Sequence, residues 1–317
     1  MSQTAHKQET YKQTNHLLPS VGIWFSTLCW GSAYAAARFL LHPDQSDSVT
    51  LHPVMLASLR FGIASFFFII PLARAIIHHE ITGRHLVLMA LLGQLTFSLY
   101  YWLQYTGIEQ TNASVASILG VGLIPIFTAL IAQISGAESL HLSLFGALTL
   151  GFLGVALIVF QQPPSVSVQS GFLIGAFCLI INTLFFALYS NLSKRWMQDI
   201  SPVVMTSGTM ISGAIGLLLL SLLDPMTNQW SEVARLNITQ WEALLFLAIG
   251  CSVLAYFAYN FALSKRDASR ITIYFYFEPI VAIILGVGLL GEPLTWQIII
   301  GTVTIGISAI IVNLMKK

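Results

Sequence analysis

Two ionisable side chains lie deep inside long apolar stretches of this sequence. Glu278 lies about ten residues into one stretch, and Arg60 lies about seven residues into another. A buried carboxylate can bind a cationic group or carry a proton, and a guanidinium can hold a carboxylate through two parallel hydrogen bonds. In a membrane-spanning segment either charge costs about 2.5 to 3.5 kcal/mol, so the two residues mark a cavity or a proton relay.

The two charges favour different roles. For Glu278 we favour substrate binding or proton coupling, with a structural ion pair to Arg60 as the alternative. For Arg60 the order is reversed, because an arginine nearer the end of a span can extend its charged end to the interface or hold helices together. At a rise of 1.5 Å per residue their depths differ by only about 5 Å, so they can pair directly or through one substrate.

Deep amides and aromatic side chains supply the remaining cavity candidates. Most buried amides only hold helices together, and the aromatic residues of the segment 100–105 can instead be anchors at the membrane interface. Aromatic faces beside a carboxylate would favour cationic or ring-bearing solutes. An amino acid would direct its ammonium to Glu278 and its carboxylate to Arg60. The candidates are Trp30, Gln94, Tyr101, Gln104, Asn182, Tyr189, Tyr256, Asn260, Tyr274 and Tyr276.

The sequence offers little for catalysis or metal binding. Its eight histidines lie in loops, in tails or at the ends of apolar stretches, so neither a metalloprotease nor a transition-metal site has ligands at depth. HExxH, G-x-S-x-G and P-loop motifs do not occur. The three cysteines lie inside apolar runs and are interpreted as small hydrophobic residues. We therefore expect no enzyme, no cofactor and no metal.

The composition is that of a membrane protein. The 317 residues are 56% hydrophobic and 9% charged, whereas soluble domains carry about 25% charged residues. The formal net charge of +1 leaves no basic excess for nucleic acid. Crossing about 30 Å of hydrocarbon takes about 20 apolar residues, and lipid admits only helices or closed barrels. Because strand alternation is missing, we predict an all-α integral membrane protein whose ten transmembrane helices cover about 19–41, 53–77, 85–106, 112–135, 141–161, 170–193, 202–223, 240–263, 268–290 and 294–314.

Lysine and arginine are segregated between alternate loops. With ten spans and a cytoplasmic N-terminus, eleven of the 14 lysines and arginines lie in cytoplasmic segments. This distribution obeys the positive-inside rule, and nine or eleven spans would disrupt it. We therefore expect both termini in the cytoplasm. Because the chain is compact and shows no targeting segment, we expect a multi-pass protein of a prokaryotic plasma (inner) membrane. Its expected partners are membrane lipid and a small-molecule substrate, and the expected state is a monomer or a weak homodimer.

The chain also repeats itself. Pro125 and Pro279 are each followed 13 residues later by a glutamate, Glu138 and Glu292, at a constant offset of 154. Five helices per copy is an odd number, so the second copy must enter the membrane inverted. Inverted repeats are typical of secondary transporters, which bind substrate between the repeats near the midplane. The paired glutamates are interpreted as helix caps.

The repeat distinguishes residues that occur in both copies, which we assign to the helical framework, from charged residues that occur once, which we assign to function. Pro125 and Pro279 each remove a backbone donor near mid-span and are interpreted as matched hinges, with a simple kink as the alternative. Neither Arg60 nor Glu278 has a charged counterpart in the other copy, as expected if one substrate in a shared cavity needs each group once. The predicted organisation is a polar N-terminal tail, 1–16, and two five-helix repeats, 17–162 and 163–317.

Several short motifs run through most of the chain. They are Trp30-Gly31-Ser32, Arg60-Phe61, Phe277-Glu278-Pro279-Ile280 and Gly291-Glu292-Pro293-Leu294, with Ala137-Glu138-Ser139-Leu140 as a weaker first copy of the last. In these residues the chain resembles the drug/metabolite transporter superfamily, and within it the ten-helix EamA-type transporters. The resemblance implies export or exchange of small organic solutes, with helices 1 to 4 and 6 to 9 around a central cavity and helices 5 and 10 at the periphery. It implies no particular substrate.

We therefore expect a secondary transporter of a small organic solute, such as an amino acid, a cationic metabolite or a drug. It would act as an exporter or exchanger by alternating access, with proton coupling through Glu278. The alternative is a passive channel or facilitator for small metabolites, which would need no alternation and would pass solute far faster than a carrier. An intramembrane enzyme is the least supported reading.

Overall fold

The computed structural model describes residues 2–43, 48–135, 166–223, 227–266 and 268–314, with a few residues between 146 and 157. Within these ranges every regular element is a helix, which confirms the all-α prediction. The predicted span 141–161 and Glu138 fall largely or wholly outside them. The helices are α1 (Ser2–Leu41), α2 (Pro53–Ile77), α3 (Gly83–Gln110), α4 (Ala113–Ile134), α5 (Val166–Trp196), α6 (Pro202–Leu223), α7 (Trp230–Val233), α8 (Ile238–Lys265), α9 (268–290) and α10 (Trp296–Leu314).

Local residues determine where the helices begin and end. The ring Nδ1 of His52 accepts the N–H of Val54 at 3.2 Å and starts α2, which has a proline in its first turn. The Asn112 side chain accepts the N–H of Val115 at 2.8 Å and starts α4, and only two residues separate it from the end of α3. Gly291 ends α9 in the left-handed conformation, with φ at 62°. Such caps satisfy backbone groups that lipid cannot.

Length and composition qualify six helices in the described ranges to cross a membrane: α2, α3, α4, α6, α8 and the part Gly171–Trp196 of α5. Two shorter apolar helices, Tyr274–Leu290 and Trp296–Ser308, accompany them. Large apolar side chains such as Phe66 and Leu289 are 72% and 75% exposed. An apolar outer surface of this kind belongs in lipid, so the chain is a multi-pass membrane protein.

The bundle has two faces, which we call the far face, where α2 begins, and the near face, where α2 ends. At the far face, Arg38 near the end of α1 donates to the carbonyl of Ile108 near the end of α3, at 2.9 Å. At the near face, Lys194 near the end of α5 donates to the carbonyl of Leu263 near the end of α8, at 3.0 Å. Cations at helix C-termini are electrostatically favourable, so both contacts stabilise the bundle ends.

Glycines bring α3 and α6 close together. A methyl group on Gly93 of α3 would collide with the carbonyl oxygen of Thr209 and would lie 3.0 Å from Cβ of Ser212, both in α6. Gly213 of α6 lies equally close to Phe97 of α3. Small residues at helix contacts let backbones approach where lipid supplies no hydrophobic driving force. This packing orients α3, whose second half carries much of the candidate site.

We predict that Gly93→Ala destabilises the protein whereas Gly62→Ala does not. The added methyl at Gly93 meets a backbone oxygen that cannot move aside, and such overpacking costs about 1 to 3 kcal/mol. Gly62, in α2, has nothing within 4 Å of the same position. Thermal unfolding in detergent measures both variants, and equal melting temperatures would contradict the prediction.

Candidate functional site

A cavity of about 20 Å³, room for about one water molecule, lies among α1, α2, α3, α4, α5, α8 and α9. No residue of its wall is more than 9% exposed, so the cavity lies deep inside the bundle. The wall is formed by Trp30, Ala33, Tyr34, Arg60, Tyr100, Tyr101, Gln104, Tyr105, Ile108, Val121, Ile124, Phe186, Tyr256, Phe275 and Glu278.

Arg60 contributes a buried cation to this wall. Its side chain is 1% exposed. Nη1 donates to the Tyr105 hydroxyl at 2.7 Å, and Nε donates to the Ser252 hydroxyl at 2.7 Å. The guanidinium carbon lies 4.8 Å from the ring centroid of Tyr101, within the range of a cation–π attraction. Nη2 has no hydrogen-bond partner among the residues that the structure describes, so the guanidinium keeps donor capacity for a ligand.

A π-helical stretch of α8, Phe246–Leu254, places Ser252 beside Arg60. The wider helical register lets the Ser252 hydroxyl donate to the carbonyl of Leu247, five residues earlier, at 3.0 Å. Its lone pairs are then available for the N–H of Arg60. π-helical insertions often occur at functional sites, and here the insertion supplies an acceptor that a regular helix would direct elsewhere.

Glu278 contributes the acid. It begins the last α-helical segment of α9, Glu278–Leu290, directly after the tight 3-10 turn Ile273–Phe277. A carboxylate in the first turn of a helix is favoured by the helix dipole. The side chain is 3% exposed. Gly31 lets α1 approach closely, because a methyl group there would lie 2.9 Å from the carbonyl oxygen of Glu278.

The structure brings Arg60 and Glu278 to one cavity but does not pair them. Within the described ranges Glu278 forms neither an ion pair nor a side-chain hydrogen bond, and Arg60 forms no ion pair. Of the two arrangements that the sequence left open, the direct pair is therefore not formed. One cation and one acid face the same buried space, as a bridging solute would require.

Aromatic rings enclose the space between the two charges. Trp30 lies at the centre of this aromatic cluster, with ring centroids 4.9 Å from Tyr256, 5.5 Å from Phe275 and 5.9 Å from Phe186. The hydroxyls of Tyr101 and Tyr256 are 2.9 Å apart and hydrogen-bonded. Such rings offer apolar contact and favourable faces for cations.

Gln104 adds an unpaired acceptor. Its Nε2 donates to the hydroxyl of Tyr34 at 3.0 Å, whereas its buried Oε1 has no partner within the described ranges. Asn182 lies close by without belonging to the wall: both its amide atoms are buried and unpartnered, and its Oδ1 lies 3.9 Å from the point where a methyl of Gly120 would be. Unpaired buried amides are costly, so this side of the cavity is suited to a polar group.

Other predicted site residues lie elsewhere. Gln94 does not reach the cavity, because its Nε2 donates to the carbonyl of Ser212 at 2.6 Å and so joins α3 to α6. Asn260 donates to the hydroxyls of Tyr189 at 2.7 Å and of Thr206 at 2.8 Å, and so joins α8 to α5 and α6 nearer the near face.

Two predicted tyrosines and the two prolines also lie off the cavity wall. Tyr274 packs edge-on against Trp24, with centroids 5.3 Å apart, and the hydroxyl of Tyr276 is buried without a partner. Pro125 follows a break in α4 at Leu123, and Pro279 follows the 3-10 turn of α9. Each proline therefore lies next to an interruption of its helix, which is compatible with the hinge prediction.

The interpretation of the segment 100–105 as interfacial anchors is wrong for its tyrosines. Tyr100, Tyr101 and Tyr105 are 1% to 4% exposed and line the cavity, and only Trp102 is exposed. The signal was present in the spacing: residues 101, 104, 105 and 108 share one helical face. Tyr34, which sequence reasoning missed, follows Trp30 by four residues in the same way.

Comparison with known proteins identifies the family of this chain. The model of the EamA-like transporter family matches residues 20–160 and again residues 173–314. The chain belongs to the EamA-like transporter family. It is 26% identical over 273 residues to an uncharacterized transporter of Archaeoglobus fulgidus, covering 86% of this chain and 90% of that protein. It is 27% identical over 282 residues to the uncharacterized inner membrane transporter YedA of Escherichia coli K12, covering 88% and 85%.

The fold of this EamA-like transporter is also found in a crystal structure. The two superpose with a TM-score of 0.64 at 16% identity, over 94% of this chain and 97% of the other. At that identity the likeness concerns the fold alone. Membership of the EamA-like transporter family, shown by the family model, confirms the predicted resemblance and a transporter function.

We predict that Tyr105→Phe lowers the melting temperature of this EamA-like transporter, whereas Tyr276→Phe does not. The first change leaves a buried N–H of Arg60 without its acceptor, at a cost of about 1 to 3 kcal/mol. The second removes a buried hydroxyl that has no partner. Thermal unfolding in one detergent compares the pair, and equal losses would show that the Arg60 contact contributes nothing.

Proposed function

We propose that this chain is a secondary transporter that carries one small organic solute through the central cavity by alternating access. The observation that carries the proposal is the buried cavity in which Arg60 and Glu278 share one space without pairing among the described residues. A passive channel or facilitator needs a continuous path when it conducts. A small cavity with a buried wall instead suits the occluded state of a carrier.

The packing of the helices supports two inverted repeats. α1 packs on α8 and α9, and α5 packs on α3 and α4. These contacts become equivalent when α1 is exchanged with α5, α3 with α8, and α4 with α9. α2 and α6 contact each other, and exchanging these two helices leaves that contact unchanged. A pattern of this kind is expected for two five-helix copies related by a two-fold axis in the membrane plane.

Local irregularities support the same repeat. The break at Leu123 in α4 and the last residue of the 3-10 turn in α9, Phe277, are 154 residues apart. At that offset the π-helical stretch Gln94–Leu99 of α3 overlaps the stretch Phe246–Leu254 of α8. The family model also matches twice, once in each half. We infer ten transmembrane helices from this symmetry.

The lining of the cavity suits a solute that carries both charges on an apolar or aromatic body, and the cavity must widen to admit it, because its volume is about 20 Å³. Nη2 of Arg60 is a free donor for an anionic group, and Glu278 is a free acceptor for a cationic group. An α-amino acid would use both, with its side chain against the rings around Trp30. A cationic metabolite or drug would use Glu278 and the rings alone, so an amino acid is the substrate class we propose first.

Orientation and energy coupling follow from charge. The near face carries most of the lysines and arginines, so we assign it to the cytoplasm, with both termini there. The relative YedA is named an inner membrane transporter, and we propose the same membrane here. Glu278 has no partner in the described part of the chain and can take up a proton or a cationic solute in turn, which would make export or exchange depend on the proton gradient.

We predict that a zwitterionic aromatic amino acid raises the melting temperature of the purified protein more than choline or a nucleoside does. A ligand at about 100 times its Kd adds about 2.7 kcal/mol to the stability of the folded state. The screen uses each compound at one concentration, with Arg60→Gln as the matched variant. A shift that persists in Arg60→Gln would contradict the role of the guanidinium.

We predict that Glu278→Gln abolishes transport driven by a pH gradient in proteoliposomes. The amide keeps the size of the side chain but neither binds a proton at neutral pH nor attracts an ammonium group. Glu242→Gln, at an exposed acid of α8, is the control and should transport normally. Unchanged coupled transport by a folded Glu278→Gln protein would remove Glu278 from the mechanism.

A further inference from the structure

Glu292 ties the far end of α9 to the start of α4. One carboxylate oxygen accepts the N–H of Ala113 at 2.7 Å. The other accepts the N–H of Ser114 at 3.0 Å and its hydroxyl at 2.6 Å. The side chain is 9% exposed. The expectation that Glu292 caps a helix is therefore met in an unexpected way, because the capped helix lies in the other half of the chain.

Two glycines make this contact possible. Gly291 turns the chain with a positive φ of 62°, and the N–H of Glu292 then donates to the carbonyl of Gly286 at 3.0 Å. A methyl group on Gly286 would lie 2.5 Å from Oε2 of Glu292 and 2.9 Å from Oγ of Ser114. The carboxylate therefore fits only against a residue without a side chain.

The tie holds together two helical segments on the far side of the cavity. Both α4 and α9 are interrupted at the level of the cavity, where Val121, Ile124, Phe275 and Glu278 contribute to its wall. From there the segments Ala113–Gly122 and Glu278–Leu290 run to the far face in contact with each other. Their tips are joined by the three hydrogen bonds of Glu292. As long as these bonds hold, the two segments cannot separate at the far face.

We propose that Glu292 is a gating residue: its carboxylate holds the segments Ala113–Gly122 and Glu278–Leu290 together, and opening of the cavity to the far face breaks this contact. The proposal rests on the proposed alternating access. The position suits a reversible latch, because water at the far face can solvate both the freed carboxylate and the freed N–H groups of α4. A latch deeper in the bundle would leave those groups unpaired when it opened.

The test measures access to the cavity directly. Ala33 lines the cavity, so a cysteine placed there by Ala33→Cys reports whether a charged, membrane-impermeant methanethiosulfonate reagent can enter. The full-length protein is purified in detergent, where both faces are reachable, and modification of residue 33 is followed by peptide mass spectrometry. With Glu292→Gln added we expect modification about tenfold faster, because loss of a charge-assisted hydrogen bond shifts an opening equilibrium by about that factor.

Two further variants make the result decisive. Glu242→Gln removes the same charge from an exposed position of α8 and should leave the rate unchanged. Ser114→Ala removes only the hydroxyl bond and should accelerate modification less than Glu292→Gln does. If Glu292→Gln does not fold, the modification rate of Ser114→Ala alone tests the proposal. An unchanged rate in the Glu292 or Ser114 variant, or equal acceleration by Glu242→Gln, would overturn the latch. Because neither solute nor gradient is present, this outcome is independent of whether Glu278 drives transport.

Discussion

The charge of Arg60 is the constraint on which the centre of the molecule depends. A guanidinium carries five N–H donors that hydrocarbon cannot satisfy. The surrounding helices meet part of that demand with the hydroxyls of Tyr105 and Ser252 and with the ring of Tyr101. They leave Nη2 without a partner. A donor that the described part of the protein leaves unsatisfied is available to a solute, and this incomplete solvation of Arg60 supports the proposal that the cavity binds one.

The sequence predicts how deep a side chain lies in its span far better than which way that side chain points. The positions of Arg60 and Glu278 along their spans follow from counting residues at a fixed rise, and both side chains do line one cavity. Which way a side chain points depends on helix rotation and on neighbours far along the chain. Gln94 and Gln104 illustrate this: both are amides of α3, but the first bonds to Ser212 of α6 and the second to Tyr34 at the cavity.

Close approaches between helices were the hardest features to anticipate. Gly31 and Gly286 are ordinary residues in apolar helices, and only the fold reveals that the first admits the backbone of Glu278 and the second the carboxylate of Glu292. The partners are more than 170 residues apart in the case of Glu292 and Ser114. Single-sequence patterns describe one helix at a time, so a contact created by two distant helices has no local signature.

The two π-helical stretches bear on how the chain arose. A helix widens in this way when it must absorb a surplus residue without losing its hydrogen bonds. The stretches of α3 and α8 occupy corresponding positions, although only the one in α8 holds an acceptor for Arg60. If the halves descend from one ancestral segment, the surplus residue was already present before duplication, and today only the copy in α8 uses it to hold an arginine.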